Sequence, residues 1–271
     1  MTFQSEHGDL LALCTRAAKA AADVIRAAVP GVRTLNWQSK GPTDFVTEVD
    51  LAAEDAILEI VRRELPAAVV VAEETAAETA PERVAKGVAL VIDPLDGTTN
   101  FLHGYPEYGV SIAALIDGVP VAAIVYDIPG EEIFTAMKGA GARVNGSPCK
   151  VSTIKDPNRA LIGTGFPYTD PAKVAPYQEQ MSRVMAHVAG IRRPGAASID
   201  LASVASGRFD AFWENRLSAW DFAAGMLLVT EAGGIVSDVE GKPLSPLAPS
   251  GVLAGGPAMY EWLRTTLAGT P

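Results

Sequence analysis

Val88-Ala-Leu-Val-Ile-Asp-Pro-Leu-Asp-Gly-Thr-Thr-Asn-Phe-Leu-His-Gly104 decides how the rest of the chain is read. Five apolar residues, Val88 to Ile92, run into Asp93, Pro94, Leu95, Asp96, Gly97 and Thr98. A short apolar run closed by Pro and Gly predicts a buried strand emptying into a tight turn. Two carboxylates three residues apart stand there beside the backbone N–H groups of Gly97 and Thr98. Such acids suit a metal ion, and N–H groups that open a turn or helix suit the phosphate bound to it. Asp-Gly-Thr alone is an ordinary turn; the whole stretch from Asp93 to Asn100 is far more specific.

Working upstream, a second apolar run, Ala67 to Ala72, closes in Glu73-Glu74. Two strands that end in acids would bring Glu73, Asp93 and Asp96 to one edge of a sheet. Like charges roughly 4 Å apart near a protein surface repel by about 4 kcal/mol per pair, so convergence requires a compensating cation. Oxygen donors with no His or Cys among them select magnesium, manganese or calcium over zinc. Thr47 with Asp50 has the form of a capping box at the start of a helix ending near Leu65, which gives Asp50 a plain structural role. Further upstream, Lys40-Gly41-Pro42 reads as a loop. Leu10, Leu13, Cys14, Ala17, Ala21, Val24, Ile25 and Ala28 form one stripe of a helix over Asp9 to Ala28, stopped by Pro30-Gly31.

Downstream, Thr75 to Gly87 is a polar linker. The pattern beyond Tyr108 is that of hairpins: Val110 to Ile116, Asp117-Gly118, Val119 to Tyr126, Glu132 to Met137, then Ala142 to Asn145 with Asn145-Gly146. After about Ser152 strands and helices alternate. Strands are expected at Ala160–Gly165, Arg208–Trp213, Ile235–Ser237 and Gly251–Ala254. Helices are expected at Pro171–Val188, Ser198–Ser206, Asp221–Ala232 and Tyr260–Leu267. Two subdomains follow, residues 1–152 and 153–271, sharing one interface. Trp-Asp221 ahead of a helix reads first as an N-cap. The acids at 93 and 96 nevertheless need a ligand from elsewhere, and a helix N-terminal Asp is well placed to supply it. Phe209, Phe212 and Trp213 read as core, His103 as structural, His7 and His187 as surface residues, and Arg192 and Arg193 as a solvated pair.

Composition narrows the partners. A net charge of −10, from 32 acids against 22 bases, disfavours nucleic acid and leaves phosphate binding to a metal. No apolar run reaches the roughly 20 residues of a membrane span. Glu6, Asp9, Arg16, Lys19, Asp23 and Arg26 break up the N-terminal 30 residues in a way no signal peptide shows. Cys14 and Cys149 fit neither a metal spacing nor a disulfide framework, so a reducing cytoplasm is expected.

The spacing Asp93-Pro-Leu-Asp96 is one residue longer than the Asp-x-Asp-Gly-Thr of haloacid-dehalogenase-type phosphatases, in which an Asp is the nucleophile. It resembles instead the first signature of the inositol monophosphatase family, the lithium-sensitive, magnesium-dependent sugar phosphatases. Trp220-Asp-Phe-Ala-Ala-Gly225 with Glu231-Ala-Gly-Gly234 is similar to the second signature, and Asp44 to Asp50 and Glu73-Glu74 fit the upstream motifs. The match runs from about residue 40 to 255 in the right order. The resemblance implies an α+β fold, a layered α-β-α-β-α sandwich of the fructose-1,6-bisphosphatase type. Its N-terminal sheet would be largely antiparallel and its C-terminal part mixed α/β.

It further implies two to three Mg2+ per subunit. Glu73, Asp93 and the Leu95 carbonyl would hold one, Asp93, Asp96 and Asp221 a second, and Glu73 would touch a third. Asp50 and Thr98 match the pair that orients the attacking water, with Glu73 also counted as catalytic. Gly97 and Thr98 would bind phosphate; Asp96, Ala196, Ser198, Glu214 and Asp221 would contact the sugar. Thr99-Asn100-Phe101 is similar to the inositol-phosphate branch, where adenosine 3′,5′-bisphosphate enzymes carry Lys-Glu. The implied substrate is inositol 1-phosphate, with fructose-1,6-bisphosphate, NADP and histidinol phosphate still open. A homodimer and inhibition by lithium are implied as well. A non-catalytic phosphate- or cation-binding regulator on the same fold is the contrasting class.

Overall fold

Residues 88–96 form a strand with both faces buried, and the remainder of the fold is stacked on those two faces. The computed structural model of the protein describes residues 3–35, 37–41, 44–75, 86–168 and 170–269. The central strand, β4 (Val88–Asp96), lies in a seven-stranded sheet. Its order is β3 (Val69–Ala72), β4, β5 (Gly109–Ile116), β6 (Val119–Asp127), β7 (Glu132–Met137), β8 (Gly141–Val144) and β9 (Ser147–Cys149). Only β3–β4 is parallel; the other pairs are antiparallel. Asp117-Gly118 and Asn145-Gly146 close two of the hairpins with all four residues at positive φ, the geometry of a tight hairpin turn.

Side chains alternate along β4: Leu90 and Ile92 enter one core, Ala89 and Val91 the other. The first core is covered by α1 (Phe3–Ala28) and α2 (Glu48–Glu64), whose alanines permit close packing. Helix α1 begins six residues earlier than its apolar stripe predicts. Against the opposite face lie α5 (Ala197–Ala205) and α6 (Ala219–Glu231). Behind them stands a five-stranded sheet of order β11 (Gly190–Arg192), β10 (Leu161–Thr164), β12 (Ala211–Leu217), β14 (Ser250–Gly255) and β13 (Ile235–Ser237). Phe212 and Ala254 face the helices, while Trp213 and Leu253 face an outer layer of α4 (Val174–Met185) and α7 (Pro257–Ala268). The aromatic trio at 209, 212 and 213 is therefore core, but divided between two cores. The layers run helix, sheet, helix, sheet, helix, in an α+β chain.

Several boundaries differ from expectation. Gln38–Gly41 and Asp44–Val46, β1 and β2, pair as an antiparallel hairpin where a loop was expected, and Pro42 lies outside the described residues. Residues 76–85 of the expected linker also lie outside them. Helix α4 starts after a 3-10 turn at Pro171–Lys173 and stops three residues short of Val188. Strand β12 starts at Ala211, because Asp210 turns its carboxylate onto the Leu161 N–H at 2.6 Å, and extends to Leu217. Strand β11 has no sequence signature. The Cys14 thiol is buried, which pushes it up to about 12, and both cysteines are free. Among the described residues no helix is long and apolar enough to cross a membrane.

Candidate active site

A register fault in β4 builds the site. Asp93 pairs with Ser111 and Asp96 with Gly109, so three steps on β4 match two on β5. Residues three apart on a regular strand face opposite sides of the sheet; one bulged residue returns them to the same side. Pro94, with no N–H to give the ladder, is suited to the fault. Glu73 follows β3 directly, and its N–H donates to the Ile92 carbonyl at 3.1 Å, which sets it beside Asp93. The Asp93 and Glu73 carboxyl groups are hydrogen-bonded to each other.

Asp221 arrives on α6. That helix begins two residues earlier than predicted, so Ser218 is the N-cap and Asp221 occupies the third helical position. Asp221 Oδ2 accepts the Ser218 N–H at 2.7 Å. Asp50 has the same local geometry on α2: its Oδ2 accepts from the Thr47 N–H at 2.8 Å and the Thr47 hydroxyl at 2.6 Å. Both acids are thus fixed by capping boxes through one oxygen. For Asp50 the other oxygen, Oδ1, accepts from Thr98 Oγ1 at 2.8 Å. Thr98 Oγ1 also lies 3.1 Å from the Leu95 carbonyl, but a hydroxyl has one proton, and the shorter contact to a carboxylate is the stronger acceptor.

Gly97 joins β4 to the short helix α3 (Thr98–His103) with φ at +88°. A Cβ there would meet the Glu107 carbonyl at 2.7 Å and the Ala196 Cβ at 3.3 Å. Gly97→Ala is therefore expected to cost about 2 kcal/mol or more in stability from backbone strain alone. It should also displace the turn, giving a lower Tm together with impaired phosphate release; wild-type values for both would contradict this geometry.

The electrostatics identify what the acids lack. Burial first, then the charges of Glu73, Asp96 and Asp221, raise the Asp93 pKa well above the carboxylate range. Burial and the charges of Asp96 and Glu73 do the same to Asp221. Asp96 is raised by burial to about 6, its hydrogen bonds from Ser198 and from the Ala197 and Gly97 amides working the other way. Among the described residues no three acids, His or Cys are already arranged as a ligand set. Glu73, Asp93, Asp96, Asp221 and the Leu95 carbonyl would offer oxygen donors alone, and a divalent cation would offset the neighbouring charges that raise Asp93 and Asp221; that chemistry fits magnesium.

The positions matched to sugar contacts lie beyond Asp96. Ala196 is fully buried and packs toward Gly97. Ser198 is fully buried, with both its N–H and hydroxyl on Asp96. Burial pushes Glu214 up to about 8, with Asp96 adding to the rise and Arg193 opposing it. Gly165 makes room for Glu214, since a Cβ there would stand 2.0 Å from its carboxyl group. Arg193, exposed, lies over the rings of Phe166 and Tyr168, 5.5 and 5.0 Å from their centroids. His103 packs edge-on to Trp37.

Two acids beside the site carry no sequence motif. Asp200, 1% exposed, has an oxygen without a hydrogen-bond partner, and burial with the charges of Glu107, Glu214 and Asp96 raises its pKa well above normal. Glu107 is raised to about 7 by burial and by Asp127 and Asp96. A charge inside Ala196-Ala-Ser-Ile-Asp-Leu-Ala202, an otherwise apolar helix start, is the signal that would have singled out Asp200.

The sequence pattern of the inositol monophosphatase family matches residues 8–269. A relative from Pseudomonas aeruginosa called Nus factor SuhB is 42% identical over 260 residues, 95% of each chain. The structure of extragenic suppressor protein suhB from Bartonella henselae superposes with a TM-score of 0.87 at 35% identity, covering 96% of this chain and 98% of that one. An inositol monophosphatase from Anabaena (Nostoc) does so at 0.84 and 34% identity, covering 97% of each. With its motifs, layers and near full-length match in agreement, the chain belongs to the inositol monophosphatase family.

Proposed function

We propose that the protein is a magnesium-dependent phosphomonoesterase acting on inositol 1-phosphate, with water as the nucleophile. The observation that supports this most directly is the electrostatic convergence of Glu73, Asp93, Asp96 and Asp221 beside the Gly97–Thr98 turn. Glu73, Asp93, Asp96, Asp221 and the Leu95 carbonyl would hold two to three Mg2+ per subunit. When bound, magnesium neutralises phosphate charge and lowers the pKa of a coordinated water.

The protein's own groups direct the proton. Because Thr98 donates to Asp50, its lone pairs are left to accept an O–H bond from the attacking water. As the water oxygen bonds to phosphorus and the ester P–O bond breaks, the water proton passes to Thr98 Oγ1 and Thr98's own proton to Asp50. The departing alkoxide takes a proton from solvent. The Gly97 and Thr98 amides would orient the phosphate, and Ala196 and Glu214 border the position of the sugar. Thr98→Val keeps the shape and removes the relay: kcat should fall about 100-fold or more while magnesium affinity, read by calorimetry, stays at the wild-type value. An unchanged kcat would remove Thr98 from the chemistry.

Phosphate release tests the reading across inositol 1-phosphate, fructose-1,6-bisphosphate, NADP, histidinol phosphate and adenosine 3′,5′-bisphosphate, each with and without magnesium and lithium. Inositol 1-phosphate should be turned over best, with lithium inhibitory. The reading includes a cytoplasmic homodimer, as the resemblance implies. The name Nus factor carried by the Pseudomonas relative gives a binding role its ground. A purely binding protein would release no phosphate from any of the five.

A further inference from the structure

Helix α5 is buried along its whole length, so the amides of its first turn have no water to turn to. Its N-cap residue, Ala196, has no side-chain acceptor and makes no cap bond. The acceptor comes from 102 positions away: Asp96 Oδ2 takes the Ser198 N–H at 2.8 Å and the Ser198 hydroxyl at 2.6 Å. The Ala197 and Gly97 amides also act on this carboxylate, lowering its pKa. Asp96 thus caps a helix to which it does not belong, and the helix in turn grips Asp96.

The hydroxyl bond settles how Ser198 spends its single proton. At 2.6 Å, to a carboxylate, it is in the strong charge-assisted class. That proton is not free for a sugar oxygen. Both Ser198 bonds end on Oδ2, which restrains rotation of the carboxylate and leaves Oδ1 outside the reach of Ser198.

From this geometry we infer that Ser198 is a positioning residue for Asp96, holding one carboxylate oxygen so that the other is presented to magnesium. The inference rests on the phosphatase reading and moves Ser198 from the implied sugar contacts to the support of a metal ligand. A ligand oriented in advance loses less freedom when the ion binds, and partners of this kind are worth about 10- to 100-fold in metal affinity.

The test is calorimetric titration of Mg2+ into chelator-treated wild type, Ser198→Ala and Ser198→Cys, with Tm and the KM for inositol 1-phosphate measured alongside. Cys fills the space but donates weakly, so agreement between the two variants separates the lost bond from lost packing. The magnesium dissociation constant should rise about ten-fold in both, with KM at saturating magnesium at the wild-type value. A raised KM with unchanged magnesium binding overturns the inference in favour of a sugar contact. A lowered Tm with both constants unchanged overturns it in favour of a plain helix residue. If wild type binds magnesium and releases phosphate and the variants match it, only the Ser198 assignment fails. If wild type does neither, the phosphatase reading fails with it.

Discussion

Asp93→Asn should abolish magnesium-dependent phosphate release while leaving the metal-free protein at least as stable as wild type. The two halves have one cause. Without metal, Asp93 is a buried carboxyl group, 2% exposed, crowded by Glu73, Asp96 and Asp221. Asn keeps its shape and its acceptor for the Leu95 N–H, which Asp93 Oδ1 takes at 3.0 Å. The Asn amide can also donate to the neighbouring Glu73 carboxylate. What is lost is a charge that only a cation needs. With a ligand common to two proposed metals gone, about 4 kcal/mol of transition-state stabilisation is removed, roughly a thousand-fold in rate. Near-normal turnover at saturating magnesium, or a collapse in Tm, would contradict the assignment.

Metal-free protein should lose stability as pH rises from about 5 to 8, and magnesium should reverse the trend. Burial takes Asp96 to about 6, and burial with repulsion from neighbouring acids raises Asp93 and Asp221 and takes Glu107 to about 7 and Glu214 to about 8. Unfolded, all of these titrate near the ordinary carboxylate value of about 4. The folded state therefore binds more protons than the unfolded chain in between, and stability falls with rising pH. It is complete below the unfolded values and is lost as pH passes through the folded ones. Arg193 and Arg208 offset part of the effect at Glu214 and Glu107. One buried acid shifted by about two to three units contributes on the order of 3 kcal/mol, so Tm should fall by at least roughly 6 °C between pH 5 and 8 for a chain of this size. Magnesium needs the deprotonated carboxylates, so its stabilisation should be larger at pH 8 than at pH 6. A metal-free Tm that rises between pH 6 and 8 would show that the acids do not converge.

Local chemistry made much of the architecture legible. The apolar run Val88–Ile92, the Asp117-Gly118 and Asn145-Gly146 turns and the Thr47–Asp50 capping box each constrain their own few residues, and the structure has them as read. The acids of the candidate site were visible because strand ends and helix starts concentrate them. What escaped lies between distant segments. The Ser198–Asp96 bond spans 102 positions, and nothing near Ser198 announces it. Asp200 and Glu107 matter only because folding puts their charges beside those of Asp96 and Glu214. Three-residue β11 forms because β10 offers an edge, so its own composition gave no sign. Helix α6 starts at Ala219 because Ser218 caps it, which turned Asp221 from an expected cap into a third-position acid with one oxygen tied.

The central claim is that the bulged turn at Asp93–Asp96, joined by Glu73 and Asp221, is a magnesium site that hydrolyses a phosphate ester. Its most direct test is phosphate release from inositol 1-phosphate by chelator-treated protein as magnesium is titrated back. No release without the metal, followed by a saturable rise on adding it, is the predicted result. Release that persists in chelator, or none at any magnesium concentration, would contradict it.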